Sequence, residues 1–172
     1  MLHIVPAISE DSISRVRELF REYGAMPGVA PCLADFEREV ASLPGQYAPP
    51  AGRLLLAIRE TPREPDQAIG CVALRSLGQQ ECEMKRLYVR PAFRGQGAAR
   101  ELAMRLIEEA HSIGYRRMLL DTLPSMQDAH RLYRTIGFRE IASYQKNPIP
   151  GALFFELPLH PMKEYDSHRA GG

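Results

Sequence analysis

The chain has 172 residues, of which 45% are hydrophobic and 25% charged, and its formal net charge at pH 7 is +1. This length and composition fit one globular domain. The near-neutral charge argues against a nucleic-acid or membrane-surface protein, because those proteins concentrate positive charge. No apolar run approaches the ~20 residues that span a bilayer. Glu10 and Asp11 interrupt the N-terminus before a signal-peptide core can form. We therefore expect a cytoplasmic protein that binds neither nucleic acid nor membrane.

The first half of the chain predicts one strand, two helices and three more strands. Residues 2–5 form the first strand, and Ser9 caps a helix that ends at Gly24. A second, short helix has its apolar residues on one face and stops before residues 44–45. Those apolar residues are Leu33, Phe36, Val40 and Leu43. Residues 53–60, 68–77 and 81–89 predict strands, since turn-like sequences separate them.

The second half predicts a helix over residues 101–113 and a strand over 116–122. A last helix starts at residues 124–125 and stops at Gly137, and two strands follow at 139–144 and 152–159. The order βααβββαβαββ indicates a mixed sheet with helices on its faces. We predict a single domain over residues 1–159 and a flexible tail over 160–172.

The cysteines and histidines suggest neither disulfides nor metal. The three cysteines, Cys32, Cys71 and Cys82, are odd in number and lack Cys-x-x-Cys spacing. A hairpin centred on residues 78–80 would place Cys71 opposite Leu87, which keeps the thiols of Cys71 and Cys82 apart. We expect buried free thiols. The five histidines lack metal-ligand spacing, so we predict no metal site.

The most informative segment is the turn between the strand at 81–89 and the helix after it. It reads Arg94-Gly95-Gln96-Gly97-Ala98-Ala99-Arg100. The glycines lack Cβ atoms, so an anionic ligand can approach the backbone closely. A helix N-terminus also presents unpaired N–H groups and the positive end of the helix dipole. Two arginines add positive charge, and the segment predicts a phosphate-binding turn.

This turn resembles the pyrophosphate loop Arg/Gln-x-x-Gly-x-Gly/Ala of the GNAT N-acetyltransferase superfamily. Downstream, a second segment resembles the family's helix that ends in a Tyr…Gly-Phe turn. It reads Ala129-x-x-Leu132-Tyr133-Arg134-x-x-Gly137-Phe138. The two segments stand in the family's order and spacing. The resemblance implies the GNAT fold, an α/β fold of the mixed α+β kind with a central, mostly antiparallel sheet flanked by helices.

The resemblance also implies the activity. Acetyl-CoA would be the co-substrate, with no metal, and the acetyl group would pass to a primary amine by direct attack in a ternary complex. The acceptor would be a small-molecule or peptide amine that the sequence does not identify. A homodimer stays an open alternative.

Several residues are implied to bind acetyl-CoA. In the family, the strand end before the pyrophosphate loop splays from its neighbour, pairs with pantetheine amides and offers an N–H to the thioester oxygen. The implied residues are Leu87, Tyr88, Val89, Arg94, Gly95, Gln96, Gly97, Ala98, Ala99, Arg100, Ser125, Ala129 and Tyr133. Met126 stands where many members carry Asn. Any amide contact to the pantetheine arm at this position must therefore be lost in this chain or replaced by one from Ser125.

Acetyl transfer needs a neutral amine, donors for the oxyanion and a proton for the leaving thiolate. Glu83 matches the position of the catalytic glutamate in some members and is our candidate base, with Glu81 as the fallback. The alternative is a solvated strand face, because Glu81, Glu83 and Lys85 alternate outward together. A carboxylate on a covered central strand is costly without a purpose, which favours Glu83. A chain of water molecules could also take the proton.

Tyr133 is the candidate acid. In the resemblance, the tyrosine before the Gly-Phe turn points at the cofactor sulfur and can protonate the thiolate. The alternative is a core tyrosine, since Tyr133 shares a helical face with Leu132 and Ile136.

Acceptor recognition in the family comes from the loop between the first two helices, here residues 26–31, and the segment before the last strand, here 144–151. Arg75 and Arg86 could meet a substrate carboxylate, or they could be salt-bridged surface arginines.

Two other functions compete with acetyl transfer. A dinucleotide-binding oxidoreductase would use Gly95 and Gly97, with Asp121 about where a ribose-binding acid belongs. Arg100 occupies its third glycine position, however, and three strands precede the motif. A non-catalytic acyl-CoA sensor of the same fold would keep the phosphate turn and dispense with Glu83 and Tyr133.

Overall fold

The computed structural model describes residues 1–29 and 35–160, so the predictions for Cys32, Leu33 and the tail beyond His160 lie outside the described residues. The first six elements are β1 (Leu2–Pro6), α1 (Glu10–Gly24), α2 (Phe36–Ser42), β2 (Arg53–Thr61), β3 (Glu64–Gly78) and β4 (Glu81–Val89). The others are α3 (Ala98–Ile113), β5 (Arg117–Thr122), α4 (Gln127–Ile136), β6 (Arg139–Ile141) and β7 (Leu153–Pro158). The predicted order of elements is confirmed.

The seven strands form one sheet in the order β1-β2-β3-β4-β5-β7-β6. Neighbouring strands are antiparallel except β4 and β5, which run parallel because α3 connects them. The predicted mixed, mostly antiparallel sheet is therefore confirmed. No helix in the described part of the chain is long and apolar enough to cross a membrane.

Local sequence accounts for the ends of the helices. Ser9 caps α1 as predicted, since its Oγ accepts a hydrogen bond from the Ser12 N–H at 3.2 Å. The predicted start of α3 at residue 101 is wrong, because Gly97 takes a left-handed φ of 89° and the helix begins directly after it. Likewise α4 begins at Gln127 and not at residues 124–125, with Met126 as a cap that makes no side-chain hydrogen bond.

Pairing between strands corrects the predicted boundaries of three strands. β3 begins at Glu64 and not at residue 68, because Glu64 pairs with Thr61 and leaves only two residues for the turn. β6 ends at Ile141 and not at residue 144, since its pairing with β7 stops there. β7 is one residue shorter at each end than predicted.

Two cores lie on the two faces of the sheet. On one face α3 and Tyr133 of α4 pack against the strands, with Leu102, Leu106 and Phe155 fully buried. On the other face α1 and α2 pack around Phe20 and meet β2, β3 and β4. β4 is thus central and contacted on both sides.

A β-bulge at Arg86 interrupts the pairing of β3 with β4. Arg86 has a φ of 58°, and the register shifts by one residue between Cys71 and Ala73. Cys71 therefore lies opposite Tyr88, and the prediction that it faces Leu87 is wrong, because the bulge inserts an extra residue into β4. Cys71 and Cys82 are buried and free, as expected.

Candidate active site

A cleft opens where β4 and β5 part. The parallel pairing joins residues 81–83 to 117–119, and β4 and β5 continue unpaired with each other to Val89 and Thr122. The resulting cleft of about 290 Å³ is bordered by both strands, the start of α4, Tyr23 of α1 and the segment before β7. Backbone groups along its two walls are therefore available to a ligand.

One polar atom in this cleft lacks a partner. Thr122 borders the cleft and is 5% exposed, and among the described residues its Oγ1 is the single buried side-chain nitrogen or oxygen atom without a hydrogen bond. Such atoms are rare because an unmade buried hydrogen bond is costly. A hydroxyl can both donate and accept, so Thr122 offers a bound molecule either role. No sequence pattern pointed to Thr122.

The predicted phosphate turn follows β4 through a short 3-10 turn at Pro91–Phe93. Gly95 and Gly97 have φ values of 73° and 89°, and a Cβ added to either would meet no atom within 4 Å. Glu101 is the first residue of α3 whose N–H bonds back to the turn, to the Gly97 carbonyl at 3.0 Å. The N–H groups of residues 98–100 therefore lack helical acceptors and remain available to an anion.

Side chains fix this turn to β4 and to α1. Arg94 Nε donates to the Val89 carbonyl at 2.8 Å, and its guanidinium carbon lies 5.8 Å from the centre of the Tyr88 ring. The Tyr88 hydroxyl donates to Glu22 at 3.2 Å, and Arg90 donates to the same carboxylate at 2.7 Å. The turn, the strand end and α1 are thus connected by hydrogen bonds. Gly95, Gln96 and the side chain of Arg100 are exposed, whereas Ala98 is buried and Ala99 partly so.

Glu83 is enclosed and fully bonded. Its side chain is 1% exposed, and Oε1 accepts a hydrogen bond from Arg75 Nε at 2.8 Å, with Arg75 Nη2 in ion-pair contact with the same oxygen at 2.7 Å. The Tyr144 hydroxyl donates to Oε2 at 2.7 Å. The solvated-face alternative is therefore wrong, because Tyr144, from the segment before β7, covers this part of β4. Two roles remain for Glu83: a base reached through its partners, or a buried ion pair.

The fallback base, Glu81, lies where β4 and β5 are still paired. It accepts a hydrogen bond from Arg117 Nη1 at 2.8 Å, and Arg117 also donates to Glu156 at 2.6 Å. Neither Glu81 nor Glu83 borders the cleft directly.

The position of Tyr133 is compatible with both roles that the sequence suggested. Its ring packs in the core, 5.7 Å from Phe138 and 6.0 Å from Phe155, and it also borders the cleft. Burial raises the pKa of Tyr133 well above its ordinary value, and the nearby Tyr23 and Asp121 raise it further. The hydroxyl therefore keeps its proton near neutral pH and can act as a donor.

Arg75 and Arg86 are both ion-paired, but the expectation of a surface position is wrong for Arg86. Its side chain is 9% exposed and its Nη2 lies 2.7 Å from Glu39. The guanidinium also sits 5.4 Å from the centre of the Tyr23 ring and 5.3 Å from that of Phe36. The bulge turns this side chain towards α1 and α2, which the alternation of β4 did not reveal.

Burial alone raises the pKa of Glu39, but the hydrogen bond and charge of Arg86 outweigh it and hold the pKa below its ordinary value. The Tyr47 hydroxyl also donates to this carboxylate. Glu39 is therefore ionised at neutral pH and ties α2 to the bulge.

Lys85 and Asp121 form a looser pair on the cleft wall. Lys85 Nζ lies 3.5 Å from Asp121 Oδ1 and 3.6 Å from Glu83 Oε1, and the two side chains are 16% and 26% exposed. Asp121 thus borders the cleft on β5. The sequence pattern gave Asp121 a role only in the dinucleotide-binding alternative, as a ribose-binding acid.

The start of α4 closes one end of the cleft. Met126 and Ala129 border it, whereas Ser125 is exposed and lies beside the loop that follows α1. A Cβ added to Gly28 would be 3.7 Å from Ser125 Oγ. That Ser125 replaces the missing amide stays a prediction. Within residues 1–29 and 35–160 no three His, Cys, Asp or Glu side chains are grouped so that they could hold a metal ion.

Comparison with known families decides which chemistry this geometry serves. A model of the acetyltransferase (GNAT) family matches residues 14–138. The chain belongs to the GNAT acetyltransferase family. It is therefore an acyltransferase of a family that uses acetyl-CoA, and the dinucleotide-binding alternative is wrong. The mostly antiparallel sheet also differs from the parallel sheet of a dinucleotide fold.

Two relatives illustrate the range of this GNAT protein's similarities. A Schizosaccharomyces pombe protein named an uncharacterized N-acetyltransferase is 35% identical over 156 residues, covering 90% of this chain and 91% of that one. The N-acetylaspartate synthetase of Danio rerio is 33% identical over 99 residues, covering 53% of this chain but 35% of the synthetase.

Solved structures share the GNAT fold. A GNAT-family acetyltransferase from Staphylococcus aureus has a TM-score of 0.77 at 16% identity, covering 93% of this chain and all of that one. A structure from Salmonella typhimurium, described as an acetyltransferase with its cofactor acetyl-CoA, has a TM-score of 0.66 at 20% identity and covers 96% and 98% of the two chains.

Proposed function

We propose that this protein transfers an acetyl group from acetyl-CoA directly to the primary amine of a small molecule or peptide, within a ternary complex. The observation that carries the proposal is the parting of β4 from β5 into a cleft, on a strand that continues to the phosphate turn. One chain segment thereby offers a place for a thioester and a place for phosphates.

The residues present fit acetyl-CoA. Phosphate groups would bind the exposed turn at Arg94, Gly95, Gln96 and Gly97, with the N–H groups of residues 98–100 and the side chain of Arg100. Beyond Glu83 the edge of β4 that faces β5 makes no strand pairing, and its backbone at Leu87, Tyr88 and Val89 suits the amides of the pantetheine arm. The free Oγ1 of Thr122 adds a polar partner. Acetyl-CoA supplies the activated acyl group as a thioester.

The protons must balance in the reaction. The C–S bond of the thioester breaks, a C–N bond forms, and the ammonium group of the acceptor loses two protons. One of these is matched by the proton that the departing thiolate takes up, and the other is released to solvent. Tyr133 is the proposed donor to the thiolate, since its burial keeps the hydroxyl protonated.

Glu83 is the proposed acceptor of the amine proton, and its enclosure means that it needs a relay. The Tyr144 hydroxyl is hydrogen-bonded to Glu83 at 2.7 Å and belongs to the segment that borders the cleft. A proton from the amine can reach Glu83 by two linked transfers. The Tyr144 hydroxyl accepts the amine proton and at the same time gives its own proton to the Glu83 carboxylate. The Arg75 guanidinium on the other oxygen holds the carboxylate in place.

A thiol-release assay tests the proposal. Acetyl-CoA is offered with polyamines, amino acids including aspartate, and peptides with free N-termini, while thermal unfolding is followed with coenzyme A and with NAD. We expect coenzyme A but not NAD to stabilise the protein, and at least one amine to release thiol above hydrolysis. Stabilisation without acetylation of any amine would instead indicate the non-catalytic acyl-CoA sensor. Stabilisation by NAD alone would refute acetyl-CoA binding.

A further inference from the structure

The charged side chains that border the cleft differ in how firmly they are bound to their partners. Arg86 is held by Glu39 at 2.7 Å and lies between two aromatic rings, so little of its binding capacity is left for a ligand. Lys85 and Asp121 also border the cleft, and their closest approach is 3.5 Å. That separation exceeds the usual range for an N–H···O bond.

Lys85 and Asp121 therefore retain hydrogen-bonding capacity. An ammonium carries three donors and a carboxylate about four acceptor sites. Lys85 reaches its two carboxylate neighbours, Asp121 and Glu83, only at 3.5 and 3.6 Å, and Asp121 has no closer ion-pair partner among the described residues. Both side chains are nonetheless mostly shielded from water. It is therefore favourable to replace the long contact between Lys85 and Asp121 by shorter contacts with a ligand that carries one negative and one positive group.

The balance of charge around Lys85 and Asp121 indicates which charged groups that ligand carries. Lys85, Arg86 and Asp121 border the cleft, and their ion-pair network extends behind it to Glu39, Glu83 and Arg75. These three cations and three anions make the network neutral. A simple ammonium placed against Asp121 would compete with Lys85 and leave an uncompensated cation in a shielded place, which is costly. A ligand with an ammonium and a carboxylate keeps the network neutral.

We propose that the acceptor amine also carries a carboxylate, as in an amino acid, with Asp121 binding its ammonium group and Lys85 its carboxylate. This inference rests on the proposed acetyl transfer. Acetylation removes the positive charge of the amine, so the product no longer neutralises Asp121. Lys85 then re-forms its pair with Asp121, which favours release of the product.

The test compares three matched forms of each acceptor: an amino acid, its primary amide and its decarboxylated amine. Thiol release from acetyl-CoA gives kcat and KM for each form. We expect kcat/KM of the best amino acid to exceed that of its amide and its amine by at least about tenfold, the size of one lost charge-assisted contact. Lys85→Met should lower kcat/KM of the amino acid at least tenfold more than that of the amide, mainly through KM.

Two further variants sharpen the result. Lys85→Arg should restore part of the preference for the amino acid, because the charge returns. Arg63→Met removes an exposed cation from the turn between β2 and β3, outside the cleft, and should leave the preference intact. Equal use of amino acids and their decarboxylated amines, or an equal loss for all forms in Lys85→Met, would overturn the inference while leaving acetyl transfer standing. Failure of every amine would overturn acetyl transfer itself.

Discussion

The Tyr144 hydroxyl donates a 2.7 Å hydrogen bond to the buried Glu83 carboxylate and so ties the segment before β7 to the central strand. The Tyr144 ring also packs edge-on against the Phe154 ring, with 5.3 Å between the two ring centroids. Burial and the Glu83 charge raise the pKa of Tyr144, so its hydroxyl remains a donor. One wall of the cleft thus depends on a contact with the residue proposed to accept the proton.

Replacing Glu83 distinguishes a base from a buried ion pair. Glu83→Gln keeps the size of the side chain and should reduce stability by about 1–3 kcal/mol, because Arg75 loses its charged partner. If Glu83 is the base, the rate should fall most near neutral pH. It should recover partly as the pH rises towards the amine pKa of ~10, since solution then supplies neutral amine.

The pH–rate profile of the variant is the measurement. Glu156→Gln is its control, since Glu156 is another buried carboxylate bound by arginines, on the far side of β5. It should lose stability and keep the wild-type profile. An unchanged profile in Glu83→Gln would assign Glu83 to structure alone, and the same loss in Glu81→Gln would move the base to Glu81.

Removing one hydroxyl tests the proposed acid. Tyr133→Phe should lower kcat by roughly 10- to 10⁴-fold with little change in acetyl-CoA affinity, because the ring and its packing remain. The matched variant is Tyr115→Phe, which deletes a buried hydroxyl that donates to the Ala51 carbonyl at 2.7 Å, away from the cleft. Its kcat should be unaffected. Full activity in Tyr133→Phe would leave Tyr133 as a core residue.

Two glycine variants that introduce the same backbone strain test the phosphate turn. Gly97→Asp and Gly78→Asp each put an aspartate at a left-handed φ, 89° and 81°, with open space around the new Cβ. Both should therefore cost a similar ~1 kcal/mol of stability. Coenzyme A at a hundredfold excess over Kd should stabilise the wild type and Gly78→Asp by about 2.7 kcal/mol.

Gly97→Asp should lose this stabilisation, because a carboxylate then lies where phosphate is expected. Thermal or urea unfolding with and without coenzyme A gives the answer. Retained stabilisation in Gly97→Asp would place the ligand elsewhere.

The buried pair of Glu39 with Arg86 should make stability depend on pH. Because Arg86 lowers the pKa of Glu39 in the folded protein, the stabilisation is complete above the unfolded pKa near 4.5 and is lost as the pH falls through the lower folded value. Glu39→Gln should cost about 3 kcal/mol at pH 7, since it leaves a buried guanidinium unpaired.

Urea unfolding at pH 7 and below pH 4 measures the difference in unfolding free energy between the wild type and Glu39→Gln. This difference should be smaller at the lower pH. Glu37→Gln, exposed on the same helix, should change stability by less than about 0.5 kcal/mol at either pH. A loss in Glu39→Gln that is the same at both pH values would contradict this account.

The sequence by itself determined what depends on neighbours along the chain. The cap at Ser9, the left-handed glycines of the phosphate turn and the hairpin between β3 and β4 follow from local backbone preferences. Alternating and helical patterns of apolar residues were enough to order the elements, because each pattern covers one continuous segment. The two family motifs, each short and continuous, placed the cofactor-binding prediction on β4, α3 and α4.

The tertiary structure alone decided which groups meet across the sheet. Lys85 and Asp121 are 36 residues apart in the chain, and Tyr144 and Glu83 are 61 apart, so no local pattern connects them. The bulge at Arg86 changed which side chains of β4 face α2, and it arises from pairing with β3. The free hydroxyl of Thr122 depends on where β5 leaves β4. Contacts of this kind are settled by how strands pair and how helices pack over them. That is why the proposed phosphate turn was visible in the sequence while the charged pairs of the cleft were not.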